Sequence, residues 1–187
     1  MKEYFVCSDI HGFYDTFFNC LLNEGFDINN PEHHIIICGD LFDRGDQAKK
    51  LLKFLLEFQK TGRLIIIRGN HEDLMEDCLF QLEQGVNISN HHYRNKTLNT
   101  IAQLTDTNEY DLLCHLYNYK NIKSKLRSYF KLIDKAVDYY EVGDYIFVHG
   151  WVPYILQDTH EPSGELSISS KPIIKLDAEK FMWDYAR

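Results

Sequence analysis

Four short polar segments of this sequence carry residue types that bind metal ions and phosphate. They combine Asp, His, Asn and Arg with glycine, and they are Asp9-Ile10-His11, Gly39–Gly45, Gly69–Glu72 and Val148-His149-Gly150. Carboxylate and amide oxygens suit hard divalent ions, whereas imidazole nitrogens suit borderline ions such as zinc or iron. Hydrolases that use two metal ions need both kinds of ligand at one place. The residue types therefore predict a two-metal hydrolase site.

Each polar segment follows an apolar run that is typical of a buried strand. The runs are Tyr4–Cys7, Ile35–Cys38, Leu64–Ile67 and Tyr145–Phe147. Apolar positions with helical spacing lie between the first three runs, so residues 1–70 follow a βαβαβ pattern. Such a pattern gives a parallel sheet with right-handed crossovers, and ligands collect beyond the carboxyl ends of its strands. The sequence therefore predicts an α/β fold whose sheet edge brings the first three segments together.

The remainder of the chain is expected to be helical first and irregular later. Residues 73–137 are predicted to be a mainly helical cap or insert within a single domain that spans 1–187. The turn formers Gly143-Asp144 lie between two apolar runs, which favours a hairpin. After Trp151, prolines and the polar stretch 163–170 are typical of loops.

Composition and charge are typical of a soluble globular protein without a nucleic-acid partner. The chain has 187 residues, of which 44% are hydrophobic and 26% are charged. No apolar run approaches the length of a membrane span, and the first residues lead directly into a strand, so no signal peptide is expected. The net charge of −8 argues against a general nucleic-acid binder. Five cysteines without a CxxC pair fit a reducing cytoplasm.

Five residues are candidate metal ligands, namely Asp9, His11, Asp40, Asn70 and His149. In an extended segment, the side chains of Asp9 and His11 would point the same way and could hold one ion. Asp40 is a candidate bridging carboxylate, while Asn70 and His149 offer an oxygen and a nitrogen to a second ion. A single Asp at a strand end is usually a turn former or a helix cap, so it is the joint pattern that favours a metal site.

Three further residues, Asp43, Arg44 and His71, are candidate catalytic residues. Arg44 could bind phosphate oxygens with both ends of its guanidinium group. His71 could donate a proton to a departing oxygen, provided that Asp43 holds the imidazole in the right tautomer. The alternative is a solvated loop in which the charges of Asp43 and Arg44 serve only solubility.

Together these segments resemble the motifs of calcineurin-like metallophosphoesterases. The DxH, GDxxDRG, GNHE and VHG patterns are most similar to those of the phosphoprotein-phosphatase branch, which includes bacterial and phage serine/threonine phosphatases and diadenosine-tetraphosphate hydrolases. The resemblance runs from Tyr4 to about Pro153, and GDxxDRG together with GNHE is a highly specific pair. It implies a four-layer αββα sandwich with a dinuclear metal centre, in which a metal-bridging hydroxide attacks phosphorus.

The resemblance also implies which residues bind each ion. By motif position, Asp9 and His11 would bind the first metal ion and Asp40 would bridge the two. Asn70 and His149 would bind the second ion. The family completes this second site with another histidine in a late Gly-His-Thr-like segment, and no such segment follows His149. The sequence therefore resembles a family member that is incomplete at its C-terminus and ends before the last strands.

Catalytic and substrate-binding roles follow from the same resemblance. His71 with Asp43 would be the general acid pair, and Arg44 would contact phosphate. Asn70 would also lie beside the substrate. Arg187, which comes shortly after Trp183, is matched to a second phosphate-binding arginine that the family carries near a tryptophan.

The expected function is therefore metal-dependent phosphoester hydrolysis in the cytoplasm, most similar to that of serine/threonine protein phosphatases. The cofactors would be two divalent metal ions, with manganese favoured over iron, zinc, nickel or magnesium. The partner would be a phosphorylated protein or a small phosphoester, with neither nucleic acid nor membrane involved. Two alternatives are hydrolysis of a dinucleoside polyphosphate and a truncated metal-binding protein with little activity.

Overall fold

The computed structural model describes residues 2–114 and 119–150, and the backbone of 154–160 and 166–172. The chain divides into two compact units, Met1–His149 and Gly150–Arg187. Among the described residues, none of the helices combines the length and the apolar character that crossing a membrane would require.

A three-stranded parallel sheet lies at the centre of the first unit. Its strands are β1 (Glu3–Cys7), β2 (His33–Cys38) and β3 (Leu64–Ile67), in the order β1-β2-β3. The central strand β2 pairs in parallel with both neighbours, and Val137 adds a single parallel bridge beside Ile67. The sheet confirms the α/β fold with parallel strands that the βαβαβ pattern predicts.

Helices connect these strands and fill the segment that follows them. The described helices of this unit are α1 (Tyr14–Asn23), α2 (Ala48–Gln59), α3 (Asn70–Gln84), α4 (Asn90–Asn95), α5 (Thr97–Thr105), α6 (Glu109–Leu113), α7 (Tyr119–Lys125) and α8 (Arg127–Ile133). Helix α3 begins directly after β3, and Gly85 ends it in the left-handed conformation that favours glycine.

A short antiparallel hairpin follows the helices. It consists of β4 (Tyr140–Val142) and β5 (Tyr145–Phe147). Gly143 lies in the turn with φ of 56°, a conformation that glycine adopts without steric cost. This hairpin confirms the prediction made from the Gly143-Asp144 turn.

The two faces of β2 are buried in two different clusters. Ile35 and Ile37 lie in the main core with apolar side chains of the helices. Ile36 and Cys38 point the opposite way and pack with side chains of the β4–β5 hairpin. Full burial of one aliphatic side chain contributes about 1.5–3 kcal/mol, so this strand is firmly anchored. The loop that follows it therefore begins from a rigid position.

The prediction of a loop-like chain after Trp151 is wrong for two stretches of the second unit. Strands β6 (Tyr154–His160) and β7 (Leu166–Pro172) pair as an antiparallel hairpin. The sequence of β7 begins Leu-Ser-Ile-Ser, an alternation with the period of a strand. The polar composition of 163–170 concealed this period.

Candidate metal and phosphate site

The loops after β1 and β2 run side by side at the carboxyl edge of the sheet. The backbone N–H of Asp9 donates to the carbonyl of Gly39 at 3.2 Å, and that of His11 donates to the carbonyl of Asp40 at 3.0 Å. Asn70 opens helix α3 directly after β3. The order of the parallel strands thus brings the first three predicted segments to one edge.

Backbone strain is concentrated in these loops. Five candidate residues have positive φ angles, with 53° at Asp9, 48° at His11, 56° at Asp40, 72° at Asp43 and 61° at Arg44. The left-handed region costs a non-glycine residue about 1–2 kcal/mol. Strain of this kind is found mainly where function requires a particular side-chain direction.

The expectation that Asp9 and His11 converge in an extended segment is wrong. Both residues have left-handed backbone angles, and His11 Nε2 comes to 3.6 Å from Asp9 Oδ1. These angles are required because the chain must leave β1 and follow the neighbouring loop rather than continue straight. The side chains meet, but through a different backbone path.

Asp40 lies at the centre of the candidate ligands, and its side chain is 5% exposed. Its Oδ1 lies 3.3 Å from His149 Nε2, whereas its Oδ2 lies 3.8 Å from His11 Nε2 and 3.8 Å from His71 Nε2. Oδ1 also accepts the backbone N–H of His71 at 3.0 Å. The two oxygens therefore face different imidazoles, as a carboxylate that bridges two ions must.

Backbone carbonyls fix the orientation of two candidate histidine ligands, His11 and His149. Nδ1 of His11 donates to the carbonyl of Phe42 at 3.0 Å, and Nδ1 of His149 donates to the carbonyl of Cys38 at 2.7 Å. With Nδ1 protonated, Nε2 of each neutral ring carries one lone pair. That of His149 faces Asp40, whereas that of His11 accepts from Arg44 at 2.8 Å.

The environment of His149 Nε2 tests whether a cation fits this set. This atom lies 3.0 Å from Asn70 Oδ1 and 3.3 Å from Asp40 Oδ1, so in the neutral ring one lone pair faces two oxygens. That contact is repulsive in the neutral ring and becomes favourable when a positive charge, either a proton on Nε2 or a metal ion, lies between the atoms. Carbonyl-oriented imidazoles are also the usual support of a protein metal site. The donor set thus fits a divalent metal.

The candidate acid pair is buried and closely spaced. His71 Nδ1 lies 2.8 Å from Asp43 Oδ2, and the two side chains are 3% and 1% exposed. Asp43 fixes the tautomer of His71, because a carboxylate can only accept from Nδ1. Arg44 Nη2 donates to His71 Nε2 at 3.2 Å, and Arg44 Nη1 donates to His11 Nε2 at 2.8 Å. The guanidinium group therefore spans the two imidazoles at the exposed side of the site.

His71 is also close enough to the ligands to be considered as one of them. His11, Asp40 and His71 offer ligand atoms that all lie within 4.8 Å of one another. His71 could therefore act as an acid or as a ligand, and the metal content of a His71 variant separates the two roles.

A buried glutamate to which the sequence analysis assigned no role supports Asp40. Glu72 Oε2 accepts the backbone N–H groups of Asp40 at 3.0 Å and Gly69 at 2.8 Å, and its Oε1 accepts that of Leu41 at 3.0 Å. Burial raises the pKa of Glu72 to about 7, against the opposing effect of these N–H groups. Glu72 ties the end of β2 to the first turn of α3. No local pattern predicts bonds that span 31 positions.

We expect Glu72→Gln to destabilise the protein by about 1–3 kcal/mol, since one amide N–H₂ would face a backbone donor and leave it unsatisfied. Urea unfolding of the metal-free protein measures this effect. Glu57→Gln is the matched control, because Glu57 is exposed and pairs only with Lys60 among the described residues. An equal free energy of unfolding for both variants would contradict the supporting role of Glu72.

Helix α5 holds the loop that carries the catalytic candidates. Thr100 Oγ1 accepts the backbone N–H of Asp43 at 3.0 Å, and Thr97 Oγ1 donates to Asp43 Oδ2 at 2.9 Å. Gln103 Nε2 donates to the carbonyl of Gly45 at 2.9 Å. The sequence pattern of 73–137 predicts only a helical cap or insert. The spacing of 97, 100 and 103 on one helix face is the signal that could have indicated a polar contact.

Two glycines are required by the close approach of the loops. A Cβ at Gly39, whose φ is 76°, would lie 2.5 Å from His149 Nδ1. A Cβ at Gly69 would overlap with Asp40 Oδ1. The space around the central carboxylate therefore admits no side chain at either position.

The first unit brings together eight of the nine residues that the sequence analysis selected, namely Asp9, His11, Asp40, Asp43, Arg44, Asn70, His71 and His149. Arg187 lies outside the described residues, so its contact with phosphate stays a prediction. The assignment of ligand, acid and phosphate-binding roles within the set also stays a prediction.

Comparison with known proteins gives a family match over most of the chain. The family model described as calcineurin-like phosphoesterase matches residues 4–178. The symmetrical bis(5'-nucleosyl)-tetraphosphatase of Buchnera aphidicola is 38% identical over 72 residues, which is 38% of this chain and 24% of that protein. The asymmetrical bis(5'-nucleosyl)-tetraphosphatase of Bacillus velezensis is 30% identical over 74 residues, which is 36% of this chain and 30% of that protein.

The matched stretch therefore spans only about a quarter to a third of these curated relatives. Among solved structures, the cold-active protein-tyrosine phosphatase of a psychrophilic Shewanella species has a TM-score of 0.45 at 20% identity. That comparison covers 82% of this chain and 45% of the other chain.

Proposed function

Because the chain belongs to the calcineurin-like phosphoesterase family, we propose that it is a metal-dependent phosphoester hydrolase. The observation that carries this proposal is the position of Asp40, whose two oxygens face His11 on one side and His149 on the other. A buried imidazole–carboxylate pair and an arginine lie directly beside it. Phosphoryl transfer uses all of these groups, because metal ions and an arginine stabilise the phosphoryl oxygens while another residue transfers a proton.

Two divalent ions are the proposed cofactors, and manganese is the first choice. Asp9, His11 and Asp40 would hold one ion, and Asp40, Asn70 and His149 would hold the other. When bound, the ions would polarise the phosphoryl group and lower the pKa of a water molecule. Mixed oxygen and nitrogen ligands also suit iron or zinc.

Arg44 and His71 supply the proposed contributions of the protein itself. Arg44 is exposed and would turn its guanidinium group from the imidazoles to the phosphate oxygens, where charge develops. That movement frees His71 Nε2, which would then carry the proton for the leaving oxygen. Asp43 keeps the other nitrogen, Nδ1, protonated and the ring aligned.

The proposed substrate is a phosphorylated serine or threonine of a protein, or a small phosphoester, in the cytoplasm. The names of the two curated relatives favour a second candidate, a dinucleoside polyphosphate. Both substrates present a phosphoryl group to the same residues. The two substrates differ in the group that is bonded to this phosphoryl group, so turnover assays with each of them distinguish the two candidates.

We expect the purified protein to hydrolyse an aryl phosphate, to lose this activity after dialysis against a chelator and to regain it with Mn²⁺. Parallel assays with a phosphoserine peptide and with diadenosine tetraphosphate identify the preferred substrate, and the nucleotide products show which bond is cut. Asp106→Asn is a matched control, because Asp106 pairs with Lys49 away from the site. Activity that survives chelation would contradict the proposal, and metal binding without turnover of any substrate would favour a binding protein.

A further inference from the structure

The carboxylate of the proposed acid pair has a second buried partner on another helix. Asp43 Oδ2 accepts from His71 Nδ1 at 2.8 Å and from Thr97 Oγ1 at 2.9 Å. Within the described part of the chain, the other oxygen, Oδ1, has no hydrogen-bond partner. The hydrogen bonds of this side chain are therefore confined to one oxygen, which His71 and Thr97 share.

All three groups are removed from water. Asp43 is 1% exposed, His71 is 4% exposed and Thr97 is 0% exposed. A buried carboxylate depends on its few hydrogen bonds, because no solvent can replace one that is lost. The hydroxyl of Thr97 is thus one of two groups that set the position of Oδ2 and the charge density on it.

Helix α5 holds Asp43 at two points. Thr100, one turn after Thr97, accepts the backbone N–H of Asp43, whose φ of 72° is strained. A threonine in a helix has few side-chain rotamers, so its hydroxyl direction is well defined. Thr105, which is equally buried on the same helix, instead donates to the carbonyl of Ile101. The hydroxyl of Thr97 is directed away from its own helix and towards the carboxylate.

We propose that Thr97 is a positioning residue for proton transfer, which acts through Asp43 on the His71 imidazole. The inference rests on the proposed function, in which His71 protonates the leaving oxygen. Thr97 holds Oδ2 at the distance and direction that keep Nδ1–H of His71 in line. Without its hydroxyl, the carboxylate turns towards an arrangement in which the ring is less well aligned.

The first test replaces Thr97 by valine, which keeps the shape and removes the hydroxyl. We expect kcat for an alkyl phosphate to fall by about 10-fold, a part of the 10²–10⁴-fold that a positioned acid contributes. The loss should be smaller for an aryl phosphate, whose leaving group needs less protonation, while KM and metal content stay unchanged. Thr97→Ser should restore kcat, and Thr105→Val is the matched control on the same helix.

A double variant that combines Thr97→Val with His71→Asn distinguishes an effect through His71 from a general disturbance of the structure. If Thr97 acts through His71, Thr97→Val should cause no further loss of kcat in the His71→Asn protein. Losses that multiply in the double variant would overturn the proposal. Equal losses for aryl and alkyl phosphates, or no rescue by serine, would overturn it as well.

A spectroscopic measurement on the metal-free protein does not depend on turnover. The buried Nδ1 proton of His71 should give a downfield NMR resonance, assigned by its absence in His71→Asn. Thr97→Val should shift this resonance and Thr105→Val should not. An unmoved resonance overturns the positioning role even if the enzyme is active, whereas a shifted resonance without turnover would leave that role standing and contradict the proposed function. Thr97→Ala replaces the valine variant if circular dichroism shows that the latter does not fold.

Discussion

Asp40→Asn should remove most of the bound metal and reduce metal-dependent hydrolysis more than any other single ligand change. One carboxylate oxygen faces His149 and the other faces His11, so the variant loses a negative charge that would serve both ions. Residues that only support a ligand typically change metal affinity or activity by about 10–100-fold. A shared ligand should exceed that range.

The fold should tolerate this change. The side-chain oxygen that remains in the Asp40→Asn variant can still accept the backbone N–H of His71, and the amide has nearly the size of the carboxylate that it replaces. The midpoint of thermal unfolding of the metal-free protein should therefore stay close to that of the wild type. Titration with Mn²⁺ by calorimetry, with turnover measured on the same sample, checks the loss at the site.

Asp9→Asn is the informative comparison, because the side chain of Asp9 is 54% exposed and lies on the His11 side only. This variant should lower the affinity for the ion on the His11 side and leave the affinity for the other ion unchanged. Two ions bound by Asp40→Asn with wild-type affinity would show that Asp40 does not bridge.

His71→Asn should lower kcat by about 10²–10⁴-fold, the usual contribution of a positioned general acid. The loss should be greatest for alkyl phosphates, because an aryl oxygen departs readily without a proton. Asp43→Asn should have the same pattern in a weaker form, since the pair shares one hydrogen bond of 2.8 Å. Kinetics with a series of phosphates of different leaving groups measures both variants.

The metal content of the His71→Asn protein decides between the two roles open to this residue. If the His71→Asn protein keeps its metal but loses turnover, His71 acts as a general acid. Metal that is lost in parallel with turnover would indicate that His71 completes the compact group with His11 and Asp40 as a ligand. Equal losses for aryl and alkyl phosphates would also argue against proton donation.

The elements that position the site could be predicted because their signals are local. Apolar runs of four residues with helical segments between them specify the parallel strands β1 to β3, which are four to six residues long. In such a sheet the carboxyl ends share an edge, so the position of Asp40 beside His11 follows from topology. The turn at Gly143-Asp144 likewise predicts a hairpin from a few neighbouring residues.

The supporting contacts could not be predicted because their partners are distant in sequence. Glu72 accepts from Leu41 across 31 positions, and Thr97 donates to Asp43 across 54. Only the bond from the backbone N–H of Gly69 is local, since a glutamate at the third position of a helix commonly accepts from the N-cap residue. Nothing in the neighbouring residues indicates that Leu41 needs an acceptor or that Asp43 needs a donor. The left-handed backbone at Asp9 also escaped prediction, since it accompanies hydrogen bonds to the loop after β2, which is distant in sequence.

The left-handed backbone at the candidate site implies a conflict between activity and heat resistance. Glycine adopts such angles freely, so Asp9→Gly would relieve a local penalty of about 1–2 kcal/mol, which the larger unfolded-state entropy of glycine offsets by about 0.5–1 kcal/mol, while it deletes a candidate ligand. A variant library ranked by melting temperature would therefore tolerate or favour glycine at this position. Selection for stability alone would remove side chains from the candidate site before it removed them from the core.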